Sequence, residues 1–230
     1  MSVNRVCEVF RSIQGEGKYV GYPCVFVRLS GCTRRCAFCD SDYHIDDYTE
    51  YALKEGAVKE VSAKVEKLLD GVFNIVVFTG GEPLLQSALV VEVVQRLRSG
   101  GKQAYFHLET NGDLFKKLSE AKFDFSVFDY ISYSPKELSG FKDMLSTGGW
   151  FLNTSWDIKI VTDGSKVGMD LVGYALQRAP FGKVLLMPLT TGDVEKDVCI
   201  KKAVWRLCGV QALRYSPRLQ VDVFGKKRGV

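Results

Sequence analysis

Short apolar runs alternate with amphipathic stretches along most of this chain. Residues 6–10 read as a strand, followed by a turn-rich segment at 12–17 in which two glycines flank Glu16. Residues 24–29 form a β-branched and aromatic run bounded by Pro23 and Gly31, the mark of a buried strand. From 57 to 70, Val58, Val61, Val65, Leu68 and Leu69 recur at helical spacing with charges between them. A strand at 73–78, a helix at 84–98 stopped by Gly100 and Gly101, and a strand at 104–108 come next. The same pattern predicts strands at 127–133, 156–161, 183–187 and 212–215, and helices at 166–178 and 194–207. Residues 140–154 are weakly patterned and read as loop with a short helix.

Strand and helix in alternation predict an α/β fold built on a parallel sheet with crossover helices. The crossovers fall short of the eight of a complete barrel, so the expected architecture is a partial, open β/α barrel. Neither a linker nor an internal repeat interrupts the pattern, and residues 1–230 are expected to form a single domain.

Composition adds little to this. Hydrophobic residues make up 46% and charged residues 25%, as in an ordinary globular protein. A net charge of +4 is too mild to argue for a nucleic-acid partner, and the basic residues at 226–228 read as a solvated tail. The opening residues carry no apolar signal segment, and no apolar run is long enough to span a bilayer. The expected location is the cytoplasm, where reducing conditions preserve thiolates. Of the seven cysteines, Cys7, Cys24, Cys199 and Cys208 sit in apolar segments and are expected to be small buried hydrophobes.

The other three cysteines do change the picture. Cys32, Cys36 and Cys39 stand in the spacing C-x3-C-x2-C, close enough to reach one metal centre. Sulfur-rich zinc sites take four ligands, and most iron–sulfur clusters are held by four cysteines. Three ligands on one short loop therefore suggest a cluster with one iron open to a non-protein group. The alternatives are a zinc site completed by His44 or a distant cysteine, and three thiols that bind nothing.

Four polar or glycine-rich segments follow predicted strands: the cysteine loop after Leu29, Thr79-Gly80-Gly81-Glu82-Pro83 after Phe78, Glu109-Thr110-Asn111-Gly112 after Leu108, and Ser134-Pro135-Lys136 after Tyr133. In a parallel α/β fold these strand ends share one face, where ligands bind.

The cysteine motif combined with Gly80-Gly81-Glu82-Pro83, and with Phe38 before the last cysteine, resembles the radical S-adenosylmethionine enzymes. More narrowly, residues 8–17, 21–28, 39–43, 109–112 and 134–136 resemble the 7-carboxy-7-deazaguanine synthase family. That resemblance implies conversion of 6-carboxy-5,6,7,8-tetrahydropterin to 7-carboxy-7-deazaguanine on the route to queuosine and other 7-deazapurines. It also implies a 4Fe-4S cluster on Cys32, Cys36 and Cys39, and S-adenosylmethionine held by Asp40, Gly80, Gly81, Glu82, Glu109 and Ser134. Gln14, Glu16, Arg28 and Thr79 would contact the pterin, with Arg28 offering a planar fork to the substrate carboxylate. Ser41, in place of the family's usual threonine, would supply an oxygen ligand to Mg2+. An external flavodoxin- or ferredoxin-like electron donor and a homodimer are also implied.

Two departures touch the substrate contacts. Met187 stands where the family often has glutamine, and Gln220 where a histidine is common. Rival readings are another radical enzyme, such as a glycyl-radical activase acting on a protein, and a zinc-stabilised binding module without catalysis.

Overall fold

Every strand predicted by the apolar runs joins one sheet. The structure is a computed structural model that describes residues 5–39, 51–52, 57–71, 74–101, 103–146, 154–225 and 227. Its strands are β1 (Arg5–Ile13), β2 (Pro23–Leu29), β3 (Tyr51–Ala52), β4 (Ile75–Gly80), β5 (Tyr105–Thr110), β6 (Tyr130–Tyr133), β7 (Ser155–Thr162), β8 (Val184–Pro188) and β9 (Arg214–Tyr215). They lie in the order β3-β1-β2-β4-β5-β6-β7-β8-β9. β1 pairs antiparallel with β2 and β3, and all later pairings are parallel. The helices are α1 (Ala57–Leu68), α2 (Ser87–Ser99), α3 (Phe115–Glu120), α4 (Leu138–Ser146), α5 (Lys166–Leu176), α6 (Val194–Gln211) and α7 (Leu219–Phe224). The outcome is the expected α/β architecture, an open sheet whose end strands β3 and β9 are not neighbours.

Period-two alternation gives each central strand two kinds of surface. Val25, Val27, Val76, Phe78, Phe106, Leu108, Ile131, Ile158, Ile160 and Leu186 form one apolar core with Val61 and Val65 of α1, Val90 and Val94 of α2 and Val204 of α6. The intervening residues face the other way. Towards the start of the strands they pack as a small group of Cys24, Ile75 and Val77 with Phe26 and Tyr105 against it. Further along they turn polar, and His107, Ser132, Asp157 and Lys159 are all buried on the sheet. Buried polar side chains need partners. Asp157 finds them in Tyr130 and Arg214, and Lys159 in Glu16 and Glu109, so this part of the sheet face carries polar pairs rather than a second apolar layer.

Several boundaries differ from the sequence expectation. β1 runs two residues into the segment expected to turn, because Ser12 and Ile13 still pair with Cys24 and Pro23. The predicted strand at 127–133 begins only at Tyr130, since Phe125–Val127 forms a 3-10 turn capped by the Asp124 side chain. The helix expected at 84–98 starts with another 3-10 turn, Pro83–Gln86. α6 runs on to Gln211 and stops where Ala212 takes a left-handed conformation. α4 occupies the start of the weakly patterned 140–154 segment, of which 147–153 lie outside the described residues. β3, α3 and α7 have too few residues to show a period. Cys7, Cys24 and Cys208 are buried as expected, but Cys199 is exposed, because its position on α6 turns away from the sheet.

The open side of the sheet is bridged by loops. Gly17 N donates to Ser216 Oγ at 2.8 Å, and Leu219 N donates to Gly15 O at 3.1 Å. These bonds seat α7 against the β1–β2 connection. A side chain at Gly15 would collide with Gln220, so the glycine permits the contact.

Candidate active site

A cavity of about 220 Å³ opens at the C-terminal ends of the parallel strands. The β1–β2 turn, the cysteine loop, the ends of β4, β5 and β7, and the segment around α7 all contribute to its wall.

The cysteine loop leaves β2 through Gly31, whose φ of +83° is a left-handed conformation suited to glycine. Cys32, Cys36 and Cys39 all line the cavity, and Cys39 N donates to Cys36 O in a turn. Arg34, between the first two cysteines, ties the loop down. Its Nε lies 2.7 Å from Asp113 Oδ2, one Nη lies 2.8 Å from Asp113 Oδ1, and the same Nη reaches Glu137 Oε1 at 2.7 Å. Asn111 adds a bond to Thr33 Oγ1 at 2.9 Å and a longer contact to Cys32 Sγ at 3.8 Å. Burial pushes the Cys32 thiol above its ordinary pKa, with nearby carboxylates acting in the same direction. Among the described residues, no three His, Cys, Asp or Glu side chains are drawn around one point as a bound metal draws them. Thiols gather fully only when a metal displaces their protons. The donor set itself, three sulfurs on one cavity wall, suits a soft iron–sulfur centre with a corner facing the cavity.

The glycine loop is fixed to the start of the cysteine loop. Gly81 N donates to Leu29 O at 3.0 Å, and Glu82 N donates to Gly31 O at 2.8 Å. Gly80 and Gly81 line the cavity. Glu82 does not, because its side chain turns inward and is fully buried. Its carboxylate accepts from Thr110 Oγ1 at 2.7 Å, Asn111 N at 2.8 Å and Leu84 N at 3.1 Å. Burial pushes Glu82 up to about 7 despite these three bonds. Glu82 thus bolts the glycine loop to the end of β5.

The other end of the cavity holds a network of opposite charges. Lys159, on the polar face of β7, donates to Glu16 Oε2 at 2.6 Å and to Glu109 Oε2 at 2.9 Å. Glu16 Oε1 accepts from Gln220 Nε2 at 2.7 Å, with Arg218 Nε at 3.8 Å. Gln14 Nε2 lies 3.4 Å from Glu109 Oε1, and Gln14 Oε1 accepts from Glu16 N at 3.2 Å. His107 Nε2 lies 3.1 Å from Glu109 Oε1. Burial alone would raise the Glu109 pKa, but the charge of Lys159, assisted by His107, overrides it and brings Glu109 down to about 2. Arg28 pairs across the β1–β2 ladder with Glu8 at 2.6 Å while also facing the cavity.

Of the residues singled out from sequence, Cys32, Cys36, Cys39, Gln14, Glu16, Arg28, Thr79, Gly80, Gly81, Glu109 and Ser134 converge on this one cavity. Glu82 stands behind its wall, whereas Asp40, Ser41 and His44 lie outside the described residues. Both departures belong to the cavity as well, Met187 as a wall and Gln220 as a partner of Glu16. Lys227, expected in a solvated tail, is exposed but borders the cavity.

Sequence reading missed Lys159, Arg218, Asn111 and Arg34. Lys159 left a faint signal, a lone lysine inside the apolar run Ile158-Lys159-Ile160-Val161. Arg218 left none, because its importance depends on how α7 folds back on the β1–β2 turn.

Comparison with known proteins places this geometry in context. Residues 26–150 match the family model of the radical SAM superfamily. Over 241 residues the chain is 32% identical to the 7-carboxy-7-deazaguanine synthase of Pyrobaculum aerophilum, covering 98% of this chain and 96% of the relative. It is also 32% identical over 235 residues to the enzyme of the same name from Hyperthermus butylicus, covering 96% and 93%. The crystal structure of QueE from Escherichia coli superposes with a TM-score of 0.64 over 94% of each chain, at 19% identity, which bears on the fold alone.

Proposed function

Because this chain belongs to the 7-carboxy-7-deazaguanine synthase family of the radical S-adenosylmethionine superfamily, we propose that its cavity converts 6-carboxy-5,6,7,8-tetrahydropterin to 7-carboxy-7-deazaguanine with loss of ammonia. The observation that carries this reading is the convergence on one cavity of three cysteines with Gln14, Glu16, Arg28 and Thr79, which come from separate strand ends.

Cys32, Cys36 and Cys39 would hold the 4Fe-4S cluster. When bound, the cluster and S-adenosylmethionine supply the one-electron chemistry that starts the reaction by removing hydrogen from carbon six of the pterin. Gly80 and Gly81 offer exposed backbone to the methionine end of the cofactor, braced from behind by Glu82. Glu109 and Ser134 face the same space, with Ser134 Oγ accepting from Lys136 Nζ at 3.0 Å. Glu109 is a carboxylate acceptor suited to ribose hydroxyls.

Beside it, Glu16 and Gln14 offer acceptors and a donor to the guanine-like edge of the substrate. The Arg28 fork, held in place by Glu8, meets the substrate carboxylate. Such a wall contributes orientation and exclusion of water and stray hydrogen donors. Mg2+ would be held by Ser41 together with the substrate, and Asp40 would add a cofactor contact. An external flavodoxin- or ferredoxin-like reductant, a homodimer, a cytoplasmic location and a single domain complete the reading.

Anaerobic reconstitution with iron and sulfide, followed by reductant, S-adenosylmethionine, Mg2+ and carboxytetrahydropterin, tests it directly. Formation of 7-carboxy-7-deazaguanine is the expected result. Its absence from a brown, iron-loaded preparation rejects the substrate assignment.

A further inference from the structure

Glu16 and Glu109 serve different ligands under the reading above, yet one buried ammonium touches both. Lys159 reaches them from β7, 143 residues beyond Glu16 and 50 beyond Glu109. We propose that Lys159 is a positioning residue shared by two ligand subsites, holding Glu16 for the heterocycle and Glu109 for the ribose of the cofactor as paired carboxylates at a fixed separation. This inference rests on the functional reading of the cavity.

The argument begins with charge. Two carboxylates face one shared ammonium, and Arg218, 3.8 Å from Glu16, supplies the second positive charge on the Glu16 side alone. Carboxylate oxygens also keep lone pairs free, because each accepts several hydrogen bonds. Here Glu109 receives Lys159 on one oxygen, with Gln14 and His107 beside the other. The surplus is acceptor capacity, so this part of the cavity suits a ligand that presents N–H and O–H groups. A pterin edge and a ribose diol both do so.

Next comes the choice of residue. A lysine ammonium is a compact charge that donates in several directions, whereas an arginine fork favours one planar partner. Bridging one carboxylate from the β1–β2 turn and another from β5 is therefore a task for lysine. Without it, Glu109 would keep its burial and lose its main counter-charge. The groups then facing it would be His107 of its own strand, Gln14 from the end of β1, and at longer range Cys24 of β2 and Tyr130 of β6. None of these is a fixed cation. Burial would then dominate and raise the Glu109 pKa towards neutrality.

A simple structural ion pair would affect folding but would not make ligand binding depend on pH. The deciding experiment measures S-adenosylmethionine affinity of the anaerobic holoenzyme, wild type and Lys159→Met, across the pH range, with iron content and circular dichroism as controls for folding. Wild-type affinity should change less than about twofold between about pH 6 and 8, while the Lys159→Met variant should bind about tenfold more weakly at the acid end than at the alkaline end. Pterin affinity of the variant should also fall, because Glu16 loses its shortest contact. A correctly folded, iron-loaded variant with a flat profile overturns the inference while leaving the functional reading intact. Wild-type protein that binds neither ligand overturns both. Should Lys159→Met not fold, Lys159→Arg keeps the charge but not the bridge to two carboxylates, and the iron-loaded variant is expected to bind S-adenosylmethionine or the pterin at least about fivefold more weakly. Wild-type affinity for both ligands in that variant overturns the inference.

Discussion

Lys159 and Glu16 meet at 2.6 Å although 143 residues separate them in sequence. One comes from the seventh strand of the sheet and the other from the turn after the first. Their contact spans the open side of the barrel, the same gap that Gly15 and Gly17 bridge to the segment around α7. A binding surface assembled from the two ends of the chain is stable only while the whole sheet is folded.

The first prediction concerns acid. Glu109 has a folded pKa of about 2, below its ordinary 4.5, so its contribution to stability is present above about 4.5 and is lost as pH falls towards 2. Glu82 has the opposite sign. Its folded pKa of about 7 lies above 4.5, so its protonated form favours the fold at low pH, and that contribution is lost as pH rises from 4.5 through 7. Chemical denaturation of the cluster-free protein at a series of pH values should therefore show both losses. A Glu109→Gln variant should lose the acid-side dependence in particular. An unchanged acid limb in that variant would show that other carboxylates govern acid unfolding.

Gly80 should tolerate no side chain. Its φ is +117°, and a β-carbon there would lie 2.0 Å from the carbonyl oxygen of Leu29, which is backbone and has no freedom to swing aside. Gly80→Ala is expected to cost about 2–4 kcal/mol and to spoil cluster loading, since the same contact aligns the glycine and cysteine loops. Urea titration and an iron assay measure the two effects. Wild-type stability would mean that the strand end relaxes freely.

Arg34 offers a way to loosen the cysteine loop without touching a ligand. Arg34→Met removes the bidentate bond to Asp113 and the bond to Glu137, leaving Asp113 partly buried without its cation. Removing one partner of such a pair costs on the order of 2 kcal/mol for partly exposed groups, with discounting for solvent. The expected outcome is a folded protein that takes up less iron per chain on reconstitution. Full iron uptake at wild-type rate would show that the loop is ordered by the metal alone.

Arg28 lies against Glu8, so its role can be probed by geometry rather than charge. Arg28→Lys keeps the charge but loses the planar fork. Pterin affinity is expected to drop about tenfold while the brown absorption and iron content stay at wild-type level. Unchanged turnover would place the carboxylate contact elsewhere in the cavity.

The alternation of apolar runs with helical periods was enough to recover eight of the nine strands among the described residues, because a parallel sheet covered by helices demands uninterrupted β-branched segments. What it could not reveal were elements too short to show a period. These were β3, α3 and α7, together with the 3-10 turns ahead of α2 and β6. The expected turn at 12–17 is present from Gln14 onward but begins two residues late, for a related reason. Pairing with β2 extends a strand past the point where its own residues favour a bend.

Local spacing settled the cysteine motif, the glycine loop and the strand-end polar segments, because each is a chemical unit a few residues long. Together these units carried the resemblance to the family, which the comparisons then showed, and they supply much of the cavity wall. Only the tertiary structure decided which charges meet. Lys159 among isoleucines reads as an oddity until the barrel brings Glu16 and Glu109 within 3 Å of its ammonium. The bonds that Glu82 accepts from Thr110 and Asn111 are likewise visible only once the ends of β4 and β5 lie side by side. The physical reason is range: hydrophobic periodicity and motif spacing act over neighbouring residues, whereas the electrostatics of a buried site depend on groups that only long-range closure brings together.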